Sequence, residues 1–216
     1  KLQSKLSDKF DYKKLSPKGY ELVLKHEVGG GKGYYNKRLS KPTYPGGQSG
    51  VTIGVGYDLG YKTASAVKRD WSPYVGTKEL ELLLGCVGAK GSMAKIKLSS
   101  VKHIRIPWED AERVFKTRTI PRFIAASKRA FPGITTLNPD AFSAIVSIVF
   151  NRGGSMKGSS RKEMVNIRNL IRSGDDNTLK LISHEVRSMK RLWRGKGLDG
   201  LLRRRDDEAN LIEKSS

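Results

Sequence analysis

Apolar residues first recur at a helical interval near the start of the chain. Tyr20, Val23 and Leu24 share one face, and Glu27 falls on the same stripe. Ser16 is placed as an N-cap and Pro17 as the first helical residue, and Gly29-Gly30-Gly31 stops the predicted helix. Glu27 therefore continues an apolar stripe to the end of a helix where the dipole disfavours an anion, a setting suited to a proton donor. Read alone, it is by default a helix-terminal surface charge or a partner of Lys25 or Lys32, and the stretch carrying Thr52 and Asp58 tips the reading the other way.

The pattern then changes. Residues 32–60 read as short strands and turns: Tyr34-Tyr35, then Tyr44-Pro45-Gly46-Gly47-Gln48, then a buried strand over 51–55 that ends in a glycine-rich turn. A small antiparallel sheet is expected here. Helical spacing returns over 62–69 and over 78–86, the latter capped by Thr77. Residues 88–105, rich in Gly, Ser and Lys, read as a loop with a short extended piece. Pro107 opens a longer helix that Pro121 should kink or split. Asn138 caps an almost wholly apolar helix over 139–151, the expected core of a helical lobe. Further helices are predicted over 161–172, 175–189 and 199–214.

The expected fold class is α+β. A small helix-plus-antiparallel-sheet lobe, about residues 17–62, would sit beside a larger all-helical lobe, about 75–216. The cleft between two such lobes suits an extended polymer. Residues 1–15 read as a linker or N-terminal arm. The sequence starts at Lys1, so excision from a longer protein is expected.

Charge narrows the partners. Lys and Arg number 42 against 21 Asp and Glu, a formal net charge of +21. Such a surplus points to a polyanion: nucleic acid, an anionic membrane, or a bacterial wall carrying phosphates. Nucleic acid has only the charge in its favour, since no zinc-ligand spacing, RNA-recognition motif or basic-zipper heptad is present. The single cysteine, Cys86, rules out an internal disulfide. His26, His103 and His184 lack metal-ligand spacing, so neither metal nor cofactor is expected. Gly54-Val55-Gly56 is followed by no βαβ series, and Gly29 to Gly33 lacks phosphate-loop spacing. The apolar run over 141–150 is too short to span a bilayer.

Candidate chemistry centres on residues 49–60. Between Glu27 and Asp58 there is no other acidic residue. Two isolated carboxyls, the Thr52 hydroxyl and a polar, aromatic stretch between them suggest cleavage of a glycosidic bond. Tyr34, Tyr35 and Tyr44 are candidates to stack on sugar rings, with ordinary sheet packing as the alternative for each.

Helix-Glu27 followed by Thr52-Ile53-Gly54-Val55-Gly56 resembles the signature of phage-type lysozymes. The run from Ala144 to Gly154, containing Phe150-Asn151-Arg152-Gly153-Gly154, is similar to that family's buried helix. The run from Gly200 to Glu208, preceded by Trp193, is similar to its closing helix. The order Glu27, Thr52, Asp58 departs from the phage enzymes, whose second acid precedes the Thr, and looks like the pesticin-type branch of bacteriocin toxins, endolysins and antibacterial effectors.

The resemblance covers about residues 17 to 212. It implies a lysozyme-like two-lobe fold and muramidase activity: hydrolysis of the β-1,4 bond between N-acetylmuramic acid and N-acetylglucosamine. Glu27 would be the acid. Asp58 would serve as base, water-orienter or electrostatic stabiliser, and Thr52 would hold the water or fix the carboxylate by a hydrogen bond. An inverting outcome is implied, needing carboxyls roughly 6.5–9.5 Å apart. Gln48 and Asn151 are candidate sugar-binding amides, and Arg152 a candidate for a peptide or muramyl carboxylate; turn closure and helix capping are the alternatives. Implied partners are peptidoglycan and anionic wall or outer-membrane phosphates, with an immunity protein in the toxin case and no nucleic acid. The chain is expected to be a monomer acting in the periplasm or on the wall, delivered from a larger protein or by a secretion or lysis system. A lytic transglycosylase and a non-catalytic cationic wall- or nucleic-acid-binding module are the rival readings.

Overall fold

Pro17 starts and Gly29 ends the first helix, α1 (Pro17–Val28), as the caps predict. The structure, a computed structural model, describes residues 10–29 and 31–214. Contacts divide the chain into two compact units: residues 24–120, and residues up to Val23 together with those from Pro121 onward. α1 begins in the second of these and ends in the first.

In the unit of residues 24–120, the glycine stop is followed at once by another helix, α2 (Gly31–Arg38). Tyr34-Tyr35 therefore does not form a strand. Tyr35 is held inward: it is 0 % exposed, its hydroxyl donates to the carbonyl of Ile106 at 3.0 Å, and its ring meets Trp108 edge-on at 5.3 Å. This anchor, with Lys37 and Arg38 at the favourable end of the dipole, supports a helix whose paired tyrosines read as a short strand.

The sheet is a two-stranded antiparallel hairpin, β1 (Thr52–Ile53) and β2 (Tyr57–Asp58). The single strand expected over 51–55 is thus folded back on itself. Gly54 and Gly56 take φ of 57° and 64°, a region open to glycine at little cost. Thr52 also pairs with Thr43 in an isolated bridge, while Tyr44 to Gln48 form a turn. Ile53 and Tyr57, register partners, are buried.

Helices α3 (Ala64–Trp71), α4 (Thr77–Leu84), α5 (Gly91–Val101) and α6 (Trp108–Val114) complete this unit. The α5 helix replaces the loop expected over 88–105. Its composition is loop-like, but Ala94 and Val101, seven residues apart, both face inward. The expected break near Pro121 takes the form of a wide turn over Phe115–Thr119, in which the Ile120 amide reaches back five residues to the Phe115 carbonyl. Proline offers no N–H to continue the ordinary ladder.

The other unit is built round α8 (Pro139–Arg152). Asn138 caps it, its side chain accepting from the Ala141 amide at 2.9 Å, and residues 141–149 are buried without exception. Gly19 of α1 lies so close to Ser143 that a β-carbon there would stand 2.0 Å from the serine's own. Of the stretch expected to be an arm, residues 1–9 lie outside the described residues, whereas Phe10, Tyr12 and Phe142 form an edge-on series with ring centroids 5.0 Å apart at each step. Helix α7 (Ile120–Ala130) precedes α8, and α9 (Lys162–Ser173), α10 (Thr178–Ser188) and α11 (Asp199–Glu213) follow.

The α11 helix carries a buried ionic knot. Glu208 lies between Arg204 and Arg205 and accepts from Ser147 Oγ at 2.6 Å. Such a cluster contributes more to a unique packing of α8 against α11 than to net stability. Among the described residues the molecule is mostly helical with one small antiparallel hairpin, an α+β architecture. Among the described residues no helix is long and apolar enough to cross a membrane.

Candidate active site

The hairpin sets the geometry. Leu59 donates its amide to the Val51 carbonyl at 2.9 Å, which makes the next pair inward, Thr52 and Asp58, a non-hydrogen-bonded pair in the register. In such pairs the side chains come closest and lie on one face. Thr52 and Asp58 are both half-buried there, opposite the buried face of Ile53 and Tyr57.

Asp58 is held by backbone. Its Oδ1 accepts from the amides of Gly50 at 3.0 Å and Gly60 at 2.8 Å. Its Oδ2 takes only a second branch of the Gly50 bond, at 3.1 Å. The carboxylate thereby caps the 3₁₀ turn Leu59–Tyr61. Gly50 and Gly60 are required by contact as well as by the bonds: a β-carbon on Gly50 would stand 2.4 Å from Asp58 Oδ1 and 2.3 Å from the Gly60 nitrogen.

Glu27, the penultimate residue of α1, is half-buried. Its Oε2 lies 3.7 Å from where a β-carbon on Gly56 would be. The end of the first helix thus meets the tip of the hairpin, two residues before Asp58. A larger side chain at position 56 would occupy the space beside the carboxyl.

The hairpin is itself anchored. The Tyr57 hydroxyl donates to Asp70 Oδ2 at 2.8 Å, and its ring meets Trp71 edge-on at 5.5 Å. Asp70 is 1 % exposed and is neutralised by Arg69, Nε to Oδ1 at 3.0 Å, with Arg118 at 3.7 Å. A paired buried carboxylate fixes the residue next to Asp58.

The remaining sequence candidates separate. Tyr34 is 47 % exposed on α2 and presents an open ring, whereas Tyr35 is fully buried. Burial also drives the Tyr35 phenol well above its ordinary value, with Asp110 adding to the effect. Tyr35 is therefore a core residue and is withdrawn as a sugar platform. Tyr44 is half-buried and spends its hydroxyl on the Gly47 carbonyl at 2.8 Å. Gln48 is exposed, and its backbone carbonyl accepts from the Tyr61 hydroxyl at 2.9 Å.

Asn151 and Arg152 belong to the other unit, at the end of α8. Asn151 is exposed and accepts weakly from Arg205 at 3.4 Å. Arg152 is half-buried, 5.2 Å from the Trp193 ring centroid, and donates to the Ser160 carbonyl. Burial, with Arg161 and Arg205 close by, lowers its guanidinium to about 10.

Sequence reasoning did not single out Gly50, Asp70 or Tyr61. Tyr61 is 60 % exposed, is the last residue of the turn that Asp58 caps, and carries Lys90 Nζ 3.8 Å above its ring. Its position one residue beyond the glycine-rich stretch was the available signal. Gly50 and Asp70 gave none, because their roles depend on contacts across the hairpin.

Over residues 23–124 the sequence is similar to a family described as "Domain of unknown function (DUF8812)". That span nearly coincides with the unit of residues 24–120 and contains Glu27, Thr52 and Asp58. No curated protein matches the sequence.

Proposed function

We propose that the chain is a peptidoglycan hydrolase of the muramidase type, with a lysozyme-like two-lobe fold of the pesticin branch. The observation that carries this reading is the meeting of Glu27 with the tip of a hairpin on which Thr52 and Asp58 share one face. Acid, hydroxyl and second carboxylate come from adjacent structural elements, and a pair of carboxyls is the equipment that glycoside hydrolysis uses.

In the proposed reaction Glu27 gives its proton to the bridging oxygen as the bond from C1 to that oxygen breaks. Water adds to C1, and its proton passes to Asp58 through Oδ2, the oxygen less engaged by backbone. Thr52, opposite Asp58, positions the water. The fixed orientation of Asp58 lowers the reorganisation needed as positive charge develops on the sugar ring. Tyr34 and Tyr61 offer exposed rings for sugar stacking, and Asn151, Gln48 and Arg152 are retained as substrate contacts. The substrate polymer places the enzyme on the wall or in the periplasm, and a toxin of this type would call for an immunity protein.

One observation favours a second reading. The double backbone clasp on Asp58 is also what a purely structural cap looks like. With Glu27 as sole catalytic carboxyl, it would protonate the departing oxygen as the bond from C1 breaks and then take the proton of the muramyl 6-hydroxyl as that oxygen closes on C1, leaving a 1,6-anhydro ring, the product of a lytic transglycosylase. Mass spectrometry of digested peptidoglycan separates the two: reducing N-acetylmuramic acid ends support hydrolysis, anhydromuramyl ends support the transglycosylase, and an undigested wall contradicts both.

A further inference from the structure

Four cations and a histidine converge on a cavity of about 530 Å³ at the end of α10, in the unit that holds none of the residues given a catalytic role above. Its walls are His184, Arg187, Ser188, Lys190, Arg191 and Arg194. Among the described residues no carboxylate lines it, and no Phe, Tyr or Trp ring does.

Three of the cations are held in place from behind. Arg187 uses both terminal nitrogens on Glu213 and Asn210. Lys190 meets Asp206 at 2.6 Å. Arg191 uses Nε and Nη2 on Glu163 and the Ser159 carbonyl. Each keeps a donor that these bonds do not use: Nε of Arg187, Nη1 of Arg191, and further N–H groups of Lys190. Arg194 is exposed, and no carboxylate pairs with it among the described residues. The carboxylates thus preorganise donors while one cation stays uncompensated, so an anion can bind without first ordering the side chains. Beside the cavity wall, Arg152 feels burial and the like charges of Arg161, Arg205 and Arg191 against the opposing pull of Glu163.

We propose that this cavity is a phosphate-binding site for the phosphodiester polymer of a bacterial envelope, a poly(glycerol phosphate) of the teichoic type. Charge complementarity selects phosphate, for which arginine forks and lysine are the usual receptors. The lining has no Phe, Tyr or Trp ring and its one flat ring is His184, which argues against single-stranded nucleic acid, whose bases stack on series of such rings. The choice of a wall polymer rests on the peptidoglycan reading; the phosphate site itself does not.

The test measures binding of poly(glycerol phosphate) to the full chain carrying Glu27→Gln, so that cleavage plays no part. Arg194→Glu should weaken binding about tenfold, as loss of one charge-assisted contact does. Lys68→Glu, which makes the same change of net charge on exposed α3, should weaken it less than about twofold at physiological salt. Equal losses from the two variants would overturn the site in favour of diffuse attraction. A single-stranded oligonucleotide of matched phosphate number, bound as tightly and with the same sensitivity to Arg194→Glu, would overturn the choice of polymer. Failure of the wild-type chain to digest peptidoglycan bears on the Glu27 reading and leaves this measurement intact.

Discussion

The amide of Gly50 donates to both oxygens of Asp58, at 3.0 and 3.1 Å, across the base of the hairpin. This bond closes the loop that carries the second carboxylate, and it leaves no room for a side chain at position 50. Gly50→Ala would place a β-carbon 2.4 Å from Asp58 Oδ1. The expected cost is about 1–3 kcal/mol, as for other overpacked sites, read as a lower urea midpoint. An unchanged midpoint would mean that the closure is not part of what holds the hairpin.

The two possible roles of Asp58 separate by substitution. Asp58→Asn keeps an oxygen that can accept from Gly50 and Gly60 but removes the charge. It should fold with little loss of stability while wall digestion falls about 10²–10⁴-fold, the usual scale of one proton-transfer role. Asp58→Ala strands two buried amides, at about 1–3 kcal/mol for each unsatisfied group, and should lose stability as well as activity. Full activity in Asp58→Asn would reduce Asp58 to a cap and favour the single-acid reaction.

Tyr57 and Asp70 anchor the hairpin from its buried face. Tyr57→Phe removes the 2.8 Å hydrogen bond to a carboxylate with no exposure to water. Bonds to charged partners are worth about 1.5–3 kcal/mol, and the loss should appear in the unfolding midpoint and as faster amide exchange at β1 and β2. If exchange in the hairpin is unaltered, the anchor does not act through Tyr57.

Helix starts, the buried α8 and the isolation of Glu27 and Asp58 could be read directly from residue order. Ser16, Pro17 and Asn138 are local signals, and local physics decides them. Tyr34-Tyr35 misled because paired aromatics between glycines and polar residues read as a short strand, whereas Tyr35 is fixed by Ile106 and Trp108, some 70 residues away. The α5 helix was hidden by its Lys, Gly and Ser content; only the spacing of Ala94 and Val101 betrays it. The hairpin was compressed into a single strand because the left-handed turn at Gly54 and Gly56 fits within five residues. At the site, sequence supplied the acids, but not that Asp58 is clasped by Gly50 and Gly60. That relation requires the chain to have already turned back on itself.

Acid stability offers a check on the helical unit. Hydrogen bonds from Arg187, then Ser183, hold the Glu213 carboxyl below its ordinary 4.5. A depressed folded value means that the ionised form is favoured by folding, so this contribution is complete above about pH 4.5 and disappears as pH falls through the lowered value. Glu213→Gln should therefore flatten the acid limb of the Tm–pH curve and lower Tm slightly at neutral pH. An acid limb identical to that of the wild type would show that the pair does not contribute to stability.

Glu27 is the point on which the functional account depends, and Glu27→Gln tests it with little change of shape. The decisive measurement is release of reducing muramic acid ends from purified peptidoglycan by the wild-type and Glu27→Gln chains, with circular dichroism confirming that both are folded. The account predicts release by the wild type and a drop of about 10²–10⁴-fold in the variant. Comparable release by a folded Glu27→Gln chain would contradict it.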